Sequence, residues 1–294
     1  MKTQIFGVLL VGLAMLGCSK DPLQQITPPD TNTPPDDTTA THPTTPDKGT
    51  HTPIPLGTNA APYGYYVYTP ENYASDTTTG KEFPVLIFLH ASGENGNSQT
   101  SPSELDKILV SGPPLMIKSN TWSPPHPMVV VSPQCHEGWW DRDNLRIFIR
   151  FISETYSVDT TRIYLTGVSM GGNAAMDQLN SFEDNQIAAA VPIAGGGVMN
   201  DLFTQRISEV PVWMFHGQED KTVLPDYSMA LVLAVNDLDP PVHAKLTLYS
   251  GIGHDCGDMT YNGTGMGKEN PSFDRFDMDI FTWMFKYTKP PTGH

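Results

Sequence analysis

The run RIYLTGVSMGG, Arg162 to Gly172, joins the apolar stretch Ile163–Leu165 to Gly167-x-Ser169-x-Gly171 and then to residues that favour a helix from Met170 onward. A strand that turns within a few residues and enters a helix forces the positions two before and two after the turning residue together. Only glycine fits at both. On such a turn Ser169 Oγ projects beyond the sheet edge, and the helix N-terminus beneath it favours a developing negative charge. Acyl-transfer chemistry is therefore expected, provided that the chain also supplies a base, an acid and a second oxyanion donor.

Working outward, apolar runs alternate with helical patterns. YYVYT (Tyr65–Thr69) reads as an early strand, and FPVLIFLH (Phe83–His90) and HPMVVVSP (His126–Pro133) as strands buried on both faces of a parallel sheet. Leu145, Phe148, Ile149, Ile152 and Tyr156 fall at helical spacing between Arg142 and Tyr156. After the serine come a helix to about residue 181 and strands at Ala188–Ile193, Val212–Phe215 and Ala244–Tyr249. Helices are expected at Met229–Leu238 and Phe273–Tyr287. The alternation predicts an α/β fold: a doubly wound, mostly parallel sheet flanked by helices, over residues 57–294.

Chemistry in such sheets collects at the carboxyl ends of the strands. Three polar loops begin there: HASGENGN from His90, FHGQEDKTV from Phe215 and YSGIGHDCGD from Tyr249. They place Asp220 and then His254 after Ser169, each gap long enough for a helix and a strand. Ser169 is the expected nucleophile, a weak one until a base takes its proton. His254 is the expected base, returning that proton to the leaving alcohol. Asp220 is the expected acid, holding the imidazole in the productive tautomer. Met170 N–H and a donor after His90, Ser92 in preference to Ala91, are the expected oxyanion hole. Glu219 competes with Asp220. His216 and His90, at strand ends, read as structural histidines.

The segments YYVYTPENY, FPVLIFLHASGENG, VVVSPQC, Trp139, VDTTRIYLTGVSMGG, VPIAGGG, PVWMFHGQED and GIGHD, taken in order, resemble the carbohydrate-esterase (family 1) and polyhydroxybutyrate-depolymerase branch of the α/β-hydrolases. Feruloyl and acetylxylan esterases belong to that branch. The resemblance implies an α/β-hydrolase fold and a serine carboxylesterase acting through Ser169, Asp220 and His254. It favours Asp220 over Glu219. The branch has His-Gly where this chain has His90-Ala91, which leaves the choice between Ala91 and Ser92 open. The implied substrates are feruloyl or acetyl esters on plant polysaccharide. A polyester depolymerase or general short-chain esterase is the second reading. A non-catalytic carbohydrate-binding lipoprotein is the reading from another class, which has no need of all three residues.

Trp139 and Trp140 follow a strand end, where an indole serves either as a platform for a sugar or feruloyl ring or as cover for the core edge. Cys135 and Cys256 follow strands on the same side of the sheet, either bridged or as free thiols. No His/Cys/carboxylate cluster has metal-site spacing and no Gly-rich phosphate loop follows the first strand, so neither metal nor cofactor is expected.

The chain has 294 residues, 32 Asp and Glu against 17 Lys and Arg, and a formal charge of −15. That acidity excludes nucleic acid and an anionic membrane surface as expected partners. Residues 1–18 read as an export signal: Lys2, an apolar stretch Ile5–Leu16 too short to span a bilayer, then MLGC, which resembles a lipoprotein box with Cys18 as the lipidated residue. Residues 19–56, rich in Thr, Pro and Asp, read as a disordered linker. A monomer, tethered to the bacterial cell envelope through its N-terminal lipid and displayed at the outer membrane, is the expectation.

Overall fold

The computed structural model describes residues 46–180, 185–197 and 199–290. The signal segment, Cys18 and most of the linker lie outside the described residues. Eight strands form one sheet in the order β1-β2-β4-β3-β5-β6-β7-β8. They are β1 Thr50–Ile54, β2 Gly64–Thr69, β3 Phe83–Leu89, β4 Val129–Gln134, β5 Val158–Val168, β6 Ile187–Ile193, β7 Trp213–Gly217 and β8 Lys245–Tyr249. β2 pairs antiparallel with both β1 and β4, and all other pairings are parallel.

The linker expected to reach residue 56 ends sooner, because β1 occupies Thr50–Ile54. Composition hid this strand: Thr50, Thr52 and Pro53 belong to the Thr/Pro vocabulary of the preceding stretch. Pro53 is tolerated because β1 is the sheet edge, where a missing N–H need cost no ladder bond. The ordered domain therefore begins before residue 57.

β3 explains why the sheet needs helices on both faces. Phe83, Val85, Ile87 and Leu89 point into one core with Leu145, Phe148, Ile149 and Ile152, while Leu86 and Phe88 point into the other with Trp213, Phe215 and Phe281. Each such side chain, fully buried, contributes about 1.5–3 kcal/mol. The first face is covered by α3 (Arg142–Thr155), α4 (Met170–Leu179), α5 (Asp201–Ile207) and α6 (Asp226–Asn236). Asp141 caps α3 by accepting Asn144 N–H at 2.8 Å. Of the helices not yet placed, α1 is Tyr73–Thr77, α2 is Gly112–Lys118, α7 is Gly257–Tyr261 and α8 is Ile280–Met284.

The closing helix expected over Phe273–Tyr287 shrinks to α8. Phe273 and Phe276 are buried in different cores. Asp274 meanwhile pairs with β8, its N–H donating to Leu246 O at 2.9 Å and its carboxylate accepting Leu246 N–H at 2.8 Å. An extended course satisfies both, and the helix starts only where Asp279 caps it.

Candidate active site

β5 ends at Val168 and α4 begins at Met170, so Ser169 makes the whole turn, with φ 55° and ψ −113°. A non-glycine residue rarely occupies this region, at a cost of order 1–3 kcal/mol. The strain is held from both sides: Ser169 N–H donates to Ile193 O of β6 and Ser169 O accepts Asn173 N–H, both at 2.9 Å. A methyl on Gly171 would collide with the Leu89 carbonyl, and one on Gly167 with the Gly171 carbonyl. The turn thus presses against the end of β3, bringing the loop after His90 beside Ser169.

The loops after β7 and β8 are laced together. Gln218 N–H donates to Tyr249 O at 3.0 Å and Glu219 N–H to Ile252 O at 2.8 Å. That lacing carries His254 across to Asp220. His254 Nδ1 lies 2.6 Å from Asp220 Oδ2, and His254 Nε2 lies 2.8 Å from Ser169 Oγ. The carboxylate accepts at Oδ2, so Nδ1 carries the proton and Nε2 is left to accept from the serine hydroxyl. The competing acid Glu219 is exposed.

Asp220 is 2% exposed. Burial by itself would raise its pKa, but hydrogen bonds from His254 and from the N–H groups of Val223 and Thr222 outweigh it and hold the carboxyl below its ordinary value. Those N–H groups meet Oδ1 at 3.0 and 2.8 Å. A further ring closes the shell: His216 Nε2 lies 3.1 Å from Asp220 Oδ2.

The loop after β3 is also organised from beneath. His90 Nε2 accepts Cys135 N–H at 2.9 Å, which leaves the proton on Nδ1 to donate to Ala91 O at 2.7 Å. Burial holds this imidazole near pKa 4 and therefore neutral. Burial pushes the Glu94 carboxyl up to about 7, against stabilising bonds from Ser111 and from Ala91 N–H. Ser111 Oγ donates at 3.2 Å, and Gln134 Nε2 donates to Glu94 O at 3.0 Å. Met170 opens α4, so its N–H has no acceptor within that helix.

Against known proteins, residues 128–257 match the model of the Dienelactone hydrolase family. The chain has the α/β-hydrolase fold. The bifunctional acetylxylan esterase/xylanase XynS20E of Neocallimastix patriciarum is 29% identical over 163 residues, 53% of this chain but 21% of that protein. Among solved structures, a thermostable esterase superposes with a TM-score of 0.57 at 22% identity over 82% of this chain and 63% of its own. FAE superposes with a TM-score of 0.51 at 18% identity, covering 82% of this chain and 93% of that one. The chain therefore spans about a fifth of the curated relative and under two thirds of the thermostable esterase.

Within this α/β-hydrolase fold the two tryptophans part company. Trp140 is buried, with Nε1 donating to His90 O at 3.3 Å and its ring 4.8 Å from that of His90. It braces the loop after β3, whereas Trp139 is 58% exposed. Both tryptophans line a depression of ≈ 270 Å³ with Asn173, Asp177, Asn180 and Asn200. A second, apolar cavity of ≈ 300 Å³, lined by Met176, Met199, Phe203, Tyr227 and Leu231, shares the wall Gly196–Gly197 with the first. The disulfide weighed for Cys135 and Cys256 is absent: both are free and buried. Cys135 Sγ instead donates to Trp139 O at 2.9 Å, and burial pushes the Cys256 thiol up to about 12. Among the described residues no group of three or more His, Cys, Asp or Glu is arranged to hold a metal ion.

Glu94 and Ser228 were not singled out in the sequence, and His216 was read as purely structural. The spacing His216-x-x-x-Asp220 was the available signal, though four residues across a loop say nothing of contact until the loop closes.

Proposed function

We propose that this protein is a serine carboxylesterase. One observation carries the reading: a strained serine whose Oγ lies 2.8 Å from an imidazole nitrogen, with the opposite nitrogen 2.6 Å from a buried carboxylate. Ser169 Oγ attacks the ester carbonyl as its proton passes to His254 Nε2. The oxyanion is met by Met170 N–H and by an N–H of the loop after His90, Ser92 in preference to Ala91. Each such donor is worth about 3–4 kcal/mol in the transition state. Collapse expels the alcohol, which leaves with the proton from His254. Water then attacks the acyl-enzyme, losing its proton to His254, and Ser169 departs reprotonated as the acid is released.

The preferred substrates are acetyl or feruloyl esters on plant polysaccharide. The partial match to a bifunctional acetylxylan esterase/xylanase supports this, as does Trp139 exposed beside three asparagines, a surface suited to stacking and hydrogen-bonding a sugar. The apolar cavity across the Gly196–Gly197 wall suits an acyl group and also favours the second reading, an aliphatic polyester or short-chain ester hydrolase. Purified protein and its Ser169→Ala variant, assayed on p-nitrophenyl acetate, methyl ferulate, acetylated xylan and a polyester, test both. Ser169-dependent release of acetate or ferulate from the polysaccharide is expected, whereas a protein inert on all four is no esterase. The lipid tether at Cys18 belongs to the same proposal, and Cys18→Ser is expected to move the protein from the membrane to the soluble fraction.

A further inference from the structure

Asp220 stands between two imidazoles, and each imidazole stands against a serine. On one side run Ser169 Oγ, His254 Nε2 and His254 Nδ1. On the other, His216 Nε2 lies 3.1 Å from Asp220 Oδ2 and 2.9 Å from Val223 O, and His216 Nδ1 lies 2.8 Å from Ser228 Oγ. The second arm is closed to substrate: His216 and Ser228 are both 0% exposed.

The hydrogen-bond pattern determines where the proton sits on His216. Nε2 faces two acceptors, a carboxylate oxygen and a carbonyl, so it must carry a hydrogen shared between them. Burial disfavours the charged ring and lowers its pKa, against the pull of Val223 and Asp220, so Nδ1 is left as an acceptor. Ser228 then donates to Nδ1; its other acceptor, Gly195 O, lies at 3.5 Å. The other titratable groups near this carboxylate are His254 and the Cys256 thiol, which burial keeps protonated.

We infer that His216 and Ser228 are positioning residues for the ester-hydrolysing centre: Ser228, on α6, locks the Nε2–H tautomer of His216, on β7, and that N–H pins Asp220 Oδ2 where His254 needs it. The inference rests on the proposed esterase reading for its kinetic consequence, not for its geometry. With the lock lost, His216 can turn a lone pair toward the carboxylate, and Asp220 is free to change rotamer. With the N–H lost, Asp220 carries one donor fewer and is held less firmly against the His254 ring.

Three variants of the full chain test this: His216→Phe, His216→Gln, whose amide restores a donor near Nε2, and Ser228→Ala. In His216→Phe, kcat on p-nitrophenyl acetate is expected to fall about tenfold with KM within about twofold. The His254 Nδ1–H resonance, followed by NMR, should move from its wild-type position as Asp220 loses its anchor. His216→Gln should recover most of both changes, and Ser228→Ala should fall between. The inference is overturned if losses track only the folded fraction, if the His254 Nδ1–H resonance stays where it is in the wild type, or if Gln does no better than Phe. The NMR readout needs no turnover, so a wild type inert on every ester sinks the esterase reading and leaves this one decided by the His254 resonance. Should His216→Phe fail to fold, Ser228→Ala and His216→Gln carry the same comparison.

Discussion

Asp220 Oδ2 lies 2.6 Å from His254 Nδ1 while Asp220 Oδ1 is held by the N–H groups of Thr222 and Val223 at 2.8 and 3.0 Å, so the carboxylate is fixed by its own loop and the His254 ring is aimed by the carboxylate. Replacing the carboxylate by an amide keeps the shape but turns the His254 tautomer around. Asp220→Asn is therefore expected to lower kcat on p-nitrophenyl acetate by a factor on the order of 10⁴. Glu219→Gln, one residue away and exposed, should leave kcat within about twofold. Steady-state kinetics on both variants check the assignment.

Trp139 and Trp140 are adjacent in sequence and opposite in exposure. Trp140→Ala empties a buried site and removes the bond to His90 O. It should destabilise the fold by about 3–5 kcal/mol in urea titrations. Trp139→Ala should change stability by no more than about 0.5 kcal/mol. Its expected effect is a severalfold higher KM on acetylated xylan, with activity on p-nitrophenyl acetate retained.

Glu94 gives stability a defined pH slope. Its folded pKa, about 7, stands above its ordinary value of 4.5, so the folded chain holds more protons than the unfolded one between those limits. The contribution is present in full below the unfolded value and is lost as pH rises through the folded one, a swing of up to about 3 kcal/mol. His90 runs the other way: with a folded pKa near 4 against 6.5, its contribution is lost as pH falls through the acid range. Urea midpoints at pH 5 and pH 8 should show Glu94→Gln gaining more relative to wild type at pH 8. His90 is common to both proteins and cancels from that difference.

With Cys135 and Cys256 free and buried, a chain starting after residue 18 should titrate no fast-reacting thiol when native and two when denatured without reductant. Reductant should leave its melting temperature unchanged. A reductant-sensitive melt would mean a bridge that the structure does not contain.

The legible parts of this fold were those in which a local pattern has a single physical solution. Ile163–Leu165 running into Gly167-x-Ser169-x-Gly171 can only be a strand, a tight turn and a helix, and β3 announced burial on two faces by lacking polar residues. β1 was not legible, since Thr and Pro serve an edge strand and a linker equally well. Nor was the short α8, because Phe273 and Phe276 have helical spacing yet are drawn into opposite cores.

The sequence alone determined the order Ser169, Asp220, His254 and the strand ends on which they sit, because strand period, turn stereochemistry and chain connectivity are local properties. Only the tertiary structure decided what lies around them. It separated Trp139 from Trp140, left the two cysteines unbridged, buried Glu94 against Ser111, and set His216 and Ser228 behind Asp220. Those are contacts between residues far apart in the chain or across closed loops. Their distances follow from how the sheet and helices pack, not from any run of neighbouring residues.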